Sequence, residues 1–202
     1  MSHNIVLHVD GSQMGRIPDK LKGKVKNNRI AIGWAFIALH DDNMVECYGI
    51  KTGKHVQDKH EWFAMIEAFL YAKSHGYSNS EISVYTDCQD FSDCIFSIDP
   101  NNYRFVARDN WINRITKFLQ DYYKHINTNE FIEFLQTARI HKVKGHSFLV
   151  YNTRVDRLAK LAVMQFFCPS KRGMSLPSFE DWIKKCAGFK VAFSYGAING
   201  NS

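Results

Sequence analysis

Four carboxylates stand where their surroundings ask for a reason. Asp10 closes the apolar run "NIVLHVD" (4–10), and Asp87 closes a second such run, "EISVYTD" (81–87). Aspartate often ends a strand because it suits turns. Two strands that do so after apolar leads are harder to dismiss, because strand ends of this kind are where sites form in open α/β sheets. Glu61 shares one helical face with Ala64, Met65, Ala68 and Ala72, which turns it toward a core. Its rival is Glu67, which lies with Phe63, Leu70 and Tyr71. Glu61 is preferred because it sits in the first helical turn, close to where the chain enters from a strand, although an acid there also complements the helix dipole. Asp156 comes one turn after Asn152 and borders the stripe Val155, Leu158, Ala159, Ala162 and Phe166. A carboxylate at such a border must be protonated, paired or bound to a cation. Arg154 or Arg157 could pair with it, but that would leave the other three acids unexplained.

Four converging acids repel and raise one another's pKa, and divalent cations relieve the repulsion. An all-oxygen ligand set suits Mg²⁺ or Mn²⁺, and the lack of a His/Cys set argues against zinc. Two such ions about 4 Å apart serve in-line attack on a phosphodiester. The segment "GRIPDKLKGKVKNNR" (15–29) carries Arg16, Lys20, Lys22, Lys24, Lys26 and Arg29 against Asp19 alone. Such a cluster fits either a solvated hairpin tip or a polyanion such as nucleic acid.

The elements that must position these groups can be read from periodicity and punctuation. Strands are expected at 4–10, 29–39, 44–50, 81–87 and 139–144. Helices are expected at 59–75, 89–97, 107–125, 129–138 and 152–167, with a weak one in "FEDWIKKCA". Direct loop connections among the first three strands permit an antiparallel meander. Helical crossovers before the fourth and fifth favour parallel pairing. The expected architecture is α/β: a mixed five-stranded sheet, three strands in an antiparallel meander plus two parallel strands, flanked by helices.

With the acids so placed, the chain resembles ribonuclease H of the type 1 class. The matches are "VDGS" (9–12), "HEWFAMIEAFLYA" (60–72), "YTDCQ" (85–89), "DNW" (109–111) and "KVKGHSFLVYNTRVDRLAKLA" (142–162). The last is the most specific: the family pattern is met by His146, Asn152, Arg154 and Asp156. The resemblance implies a metal-dependent endonuclease that cuts the RNA strand of an RNA–DNA hybrid, leaving 5′-phosphate and 3′-hydroxyl ends. Asp10, Glu61, Asp87 and Asp156 would hold two Mg²⁺ ions, with Mn²⁺ as a substitute. One ion would activate water and the other would stabilise the leaving oxygen. It further implies that His146, on a loop hinged by Gly145, moves a proton or eases product release. Gln89 and the backbone of Gly11 and Ser12 would face the hybrid's minor groove, and Asn152 would orient the metal ligands or the His146 loop.

The chain departs from the family pattern in two places. The family's N-N-R-x-E run is here "QDKHE" (57–61), where Gln57, Lys59 or His60 would have to substitute. The segment between Asp87 and Asp109 is short for a basic helical protrusion, so Lys20, Lys22, Lys24 and Lys26 are candidates for gripping nucleic acid instead. Two other readings stay open: a nuclease of the same fold acting on another nucleic acid, and a non-catalytic hybrid- or RNA-binding module.

Bulk properties fit this picture. The 202 residues suit one domain, expected at 1–167, with a C-terminal extension at 168–202 made of a linker, one short helix and a frayed end. No apolar run approaches the ~18 residues that span a bilayer. The five cysteines form no C-x-x-C pair, so free thiols are expected rather than a disulfide framework or a zinc site. The protein is expected to be a cytoplasmic monomer.

Overall fold

Strand β1, Ile5–Gln13, is buried along most of its first half. Ile5, Leu7 and Val9 are buried on one face, while His8 and Asp10, also buried, point to the other. A strand covered on both faces belongs in the middle of a sheet, and β1 is the central strand. The computed structural model describes residues 4–13, 30–40, 43–53, 56, 59–91, 108–143 and 150–186. Strands β2 (Ile30–His40) and β3 (Asn43–Gly53) form the antiparallel meander with β1. Strands β4 (Ile82–Thr86) and β5 (Arg139–Lys142) add on the other side in parallel. The order across the sheet is β3-β2-β1-β4-β5, and its pairing directions are those that the connections favour. Three strand ends differ from expectation: β3 runs on to Gly53 instead of stopping at 50, β5 stops at Lys142 instead of 144, and β1 departs as well. β1 does not end at Asp10 but stays paired with β2 through Gln13↔Ile32, because antiparallel pairing on that side outlasts the parallel pairing with β4, which stops at His8↔Tyr85.

Helix α1, His60–Ser74, covers the face of Ile5, Leu7 and Val9 and stops before Gly76, whose φ of 82° suits a helix end. The sequence suggests one apolar stripe on it. Instead Trp62, Phe63, Ala64, Met65, Ile66, Ala68, Phe69 and Ala72 are all buried. The reason is a further layer of helices, α2 (Arg108–Tyr122) and α3 (Thr128–Thr137), whose Phe118 meets Phe63 and whose Phe131 and Phe134 meet Phe69. Each aromatic buried this way stabilises the layer by about 1.5–3 kcal/mol.

Helix α4, Val150–Phe167, lies on the opposite face, with Val155, Leu158 and Ala159 against Ala35 and Ile37. Gly33 permits this closeness: a Cβ there would sit 2.0 Å from the Ala159 carbonyl oxygen. A last helix, α5 (Phe179–Cys186), buries Trp182. The described part of the extension, up to residue 186, therefore packs against the domain through α5. Among the described residues no helix is long and apolar enough to cross a membrane, and Cys47, Cys88 and Cys168 are free thiols.

Candidate active site

The parallel register of β1 and β4 brings the first two acids together. Ile5 pairs with Ile82 and His8 with Tyr85. Carried two residues further, the same register sets Asp10 beside Asp87. Glu61 arrives from the first turn of α1, and Gly11 lets it come near. A Cβ on Gly11 would lie 2.4 Å from the His60 carbonyl carbon and 2.7 Å from the Glu61 amide nitrogen. Strand β1 thus rests backbone to backbone on the start of α1. The outcome is a cluster of Asp10, Glu61 and Asp87 in which one carboxylate oxygen from each lies within 4.8 Å of the others.

This cluster is electrostatically uncomfortable without a cation. Burial, then Asp87 and Asp156, push the Asp10 carboxyl up to about 8. Burial, then Asp10, Asp87 and Asp90, push Glu61 up to about 9. The Gly11 amide pulls both back only in part. In addition, Glu61 Oε2 and Asp87 Oδ1 are buried with no hydrogen-bond partner among the described residues. Buried acceptors of this kind are costly unless something satisfies them, and hard cations take all-oxygen sites. The three acids can hold a divalent metal ion.

The fourth acid stands slightly apart. Asp156 is near enough to raise the Asp10 pKa, yet it lies outside the tight cluster and its side chain is 28% exposed. Its cationic partner is not Arg154 or Arg157 but Lys160, one helical turn on, at 2.6 Å. The four acids therefore do not gather without a basic group, because a lysine at i+4 on an exposed helix flank reaches its acid more easily than an arginine at i−2 or i+1. Arg154 is instead 2% exposed and gives a forked pair of bonds to Glu46 on β3, at 2.6 and 2.9 Å. Glu67, the rival to Glu61, is committed elsewhere, accepting from the Tyr123 hydroxyl at 2.7 Å and pairing with Lys51 at 3.1 Å.

Of the other candidates, Gly11 and Ser12 are half-buried at the site end of β1, and Gln89 is exposed just beyond Asp87. Asn152 is buried on α4, and its Oδ1 has no partner among the described residues. His146, Gly145, Gln57 and the lysines Lys20, Lys22, Lys24 and Lys26 lie outside the described residues, as does the remainder of the expected helix after residue 91.

Two groups escape a reading of the sequence. Asp90 bears on Glu61 and pairs with Arg114 at 3.4 Å, and the Arg114 guanidinium lies 4.1 Å from the Trp111 ring centre. The repeated acid in "TDCQD" was the available signal. His8 lies between Tyr85, on which it stacks, and Tyr151, which packs at a tilt, with ring centres 4.9 Å away in each case. Burial lowers its pKa to about 4, so it stays neutral beneath the acids.

Sheet order, helix layers and acid cluster together define a ribonuclease H-like fold with an acidic, metal-binding site. The RNase H family model matches residues 2–164, and the chain belongs to that family. Among solved structures, the chain is similar to LC9-RNase H1, described as a type 1 RNase H with the type 2 active-site motif. That match has 13% identity and a TM-score of 0.50, and covers 90% of this chain and 81% of the other. LC11-RNase H1, isolated from compost by a metagenomic approach, is similar at 13% identity and a TM-score of 0.47, covering 82% and 99% of the two chains. No curated protein matches the chain.

Proposed function

We propose that the protein is an endonuclease that hydrolyses the RNA strand of RNA–DNA hybrids, using two Mg²⁺ ions, for which Mn²⁺ can substitute. The carrying observation is the trio Asp10, Glu61 and Asp87, whose carboxylates converge at one end of an RNase H sheet, with Glu61 Oε2 and Asp87 Oδ1 buried and unsatisfied among the described residues. Asp156 completes the ligand set once Lys160 releases it. Bound metal supplies charge neutralisation and a nucleophilic water at neutral pH. This chain's own groups do the rest. Gly11 holds β1 against α1 so that Glu61 meets Asp10. Neutral His8 supports the strand from below without adding charge. His146 carries a proton, for which an imidazole is suited. Gln89 and the Gly11–Ser12 backbone face the minor groove, where 2′-hydroxyls mark RNA. Lys20, Lys22, Lys24 and Lys26 grip phosphates, the products are a 5′-phosphate and a 3′-hydroxyl, and the protein acts as a cytoplasmic monomer.

The test incubates the protein and its Asp10→Asn variant with end-labelled RNA–DNA hybrid, double-stranded RNA and double-stranded DNA, in Mg²⁺, Mn²⁺ or chelator. Metal-dependent loss of the hybrid's RNA strand alone, absent in the variant, is the expected result. Cleavage of a different duplex, or binding without cleavage, overturns the proposal.

A further inference from the structure

Past the family match, which stops at residue 164, the chain turns back along α4. The Gln165 side-chain amide donates to the Met174 carbonyl. Leu176 then packs into the cluster formed by Ala35, Ile37, Val155, Leu158 and Ala159. The Pro177 carbonyl accepts from Arg154 Nη2 at 2.9 Å. Phe179 stacks on Tyr151, with centroids 5.2 Å apart and planes 4° from parallel. Trp182, 4% exposed, lies with its ring centre 5.6 Å from the Arg154 guanidinium and 5.9 Å from that of Arg157.

All of these contacts except Gln165 and the Leu176 cluster fall on Tyr151, Arg154 and Arg157, in the first two turns of α4. That stretch also carries Asn152 and Asp156. Tyr151 in turn packs its ring, tilted by 32°, against His8, two residues before Asp10 on β1. Arg154 is pinned on both sides, by Glu46 of β3 and by the returning segment. A buried, forked ion pair is a strong geometric constraint when both partners are satisfied, and breaking such a pair is costly.

We infer that residues 174–186 are a strap that fixes the first two turns of α4 and so positions Asn152 and Asp156 beside Asp10. The strap is a property of the fold, while its consequence for metal binding rests on the function proposed above. Trp182 is the natural point of attack. Its indole N–H is buried without a hydrogen bond among the described residues, so phenylalanine keeps an apolar aromatic face against Arg154 and gives up no polar contact seen there, whereas alanine removes the face altogether.

The test compares full-length wild type, Trp182→Ala, Trp182→Phe and Asp156→Asn by amide hydrogen exchange and by calorimetric titration with Mg²⁺. In Trp182→Ala, amides of residues 151–157 should exchange about tenfold faster while those of α1 keep their protection, the mark of local opening. Its Mg²⁺ affinity should fall severalfold, toward that of Asp156→Asn, and Trp182→Phe should restore both. Unchanged exchange in 151–157, or faster exchange spread evenly over the protein, overturns the inference. So does normal Mg²⁺ affinity in Trp182→Ala when Asp156→Asn has lost affinity. If Asp156→Asn binds Mg²⁺ like wild type, the ligand role of Asp156 fails, while the exchange pattern still decides the strap. Should Trp182→Ala not fold, Phe179→Leu, which removes the ring contacts with Tyr151 and Trp182 but leaves the Trp182 face on Arg154, should give the same local pattern at smaller amplitude.

Discussion

Replacing Gly11 by alanine tests the contact that brings the acids together. The new methyl group would lie 2.4 Å from the His60 carbonyl carbon and 2.6 Å from its oxygen. Ordinary carbon contacts begin near 3.5 Å, so strand and helix must part by roughly 1 Å. Both neighbours are backbone, and no side chain can swing aside. Gly11 does not have positive φ, so the penalty is steric alone. Overpacking of this kind costs about 1–3 kcal/mol, and the reduced freedom of the unfolded chain returns about 0.4–1 kcal/mol of it. At roughly 2–4 °C per kcal/mol for a chain of this size, the melting temperature should fall only modestly. Activity should suffer far more, because a misplacement of about 1 Å costs on the order of 10²-fold in rate. The assay is kcat on the labelled hybrid beside a thermal melt and a Mg²⁺ titration. Gly76→Ala, strained at a φ of 82° but remote from the acids, should lower stability and leave kcat alone. A Gly11→Ala protein with wild-type kcat and Mg²⁺ affinity would refute the idea that this contact assembles the site.

Three further outcomes follow from the same geometry. Asp10 and Glu61 have folded pKa values raised to about 8 and about 9 from ordinary values of 3.8 and 4.5, so between those limits the unfolded chain holds fewer protons. Metal-free stability must therefore fall as pH rises from about 4 to about 9; urea melts in chelator should show it, Mg²⁺ should reverse it, and Asp10→Asn should flatten the slope. Lys160→Ala removes the cation that holds Asp156 at 2.6 Å; it should cost no more than ~0.5 kcal/mol of stability, and calorimetry should find Mg²⁺ bound severalfold more tightly. Neutralising Lys20, Lys22, Lys24 and Lys26 together should weaken hybrid binding and reduce the slope of log affinity against log salt by about 0.7–0.9 for each phosphate that is no longer neutralised, read from binding isotherms across a salt series.

The sheet was legible in the sequence because its signals are local. Period-two runs, one turn at 40–43 and two helical crossovers are enough to indicate the meander and the two parallel strands, while the edge that β4 joins, beside β1, is set by contacts the pattern does not show. Glu61 could be chosen over Glu67 from helical phase and first-turn position, and the structure gives each a separate employment. What was not legible depends on contacts between distant segments. The double-sided burial of α1 needs α2 and α3, which no pattern within α1 reveals. The pairing of Asp156 with Lys160 is an ordinary i,i+4 relation, obscured by two arginines closer in sequence. Arg154 found its partner on β3, at Glu46, a residue that nothing in its own segment distinguishes. The docking of the extension through Trp182 was hidden because one short amphipathic helix has no visible destination until α4 is in place.

The order β3-β2-β1-β4-β5 also bears on how the protein is made. Of the five strands of this sheet, the first to leave the ribosome is the one that ends in its middle. It can pair with β2 almost at once, but its other edge waits until residues 82–86 have emerged. A nascent chain that has reached β3 carries Asp10 and neither Glu61 nor Asp87. At 5–20 residues per second, roughly four to fifteen seconds separate synthesis of Asp10 from synthesis of Asp87, and Asp156 follows later still. Incomplete chains therefore carry an unpaired strand edge and no metal cluster, and the acidic site comes into being only with most of the domain already synthesised.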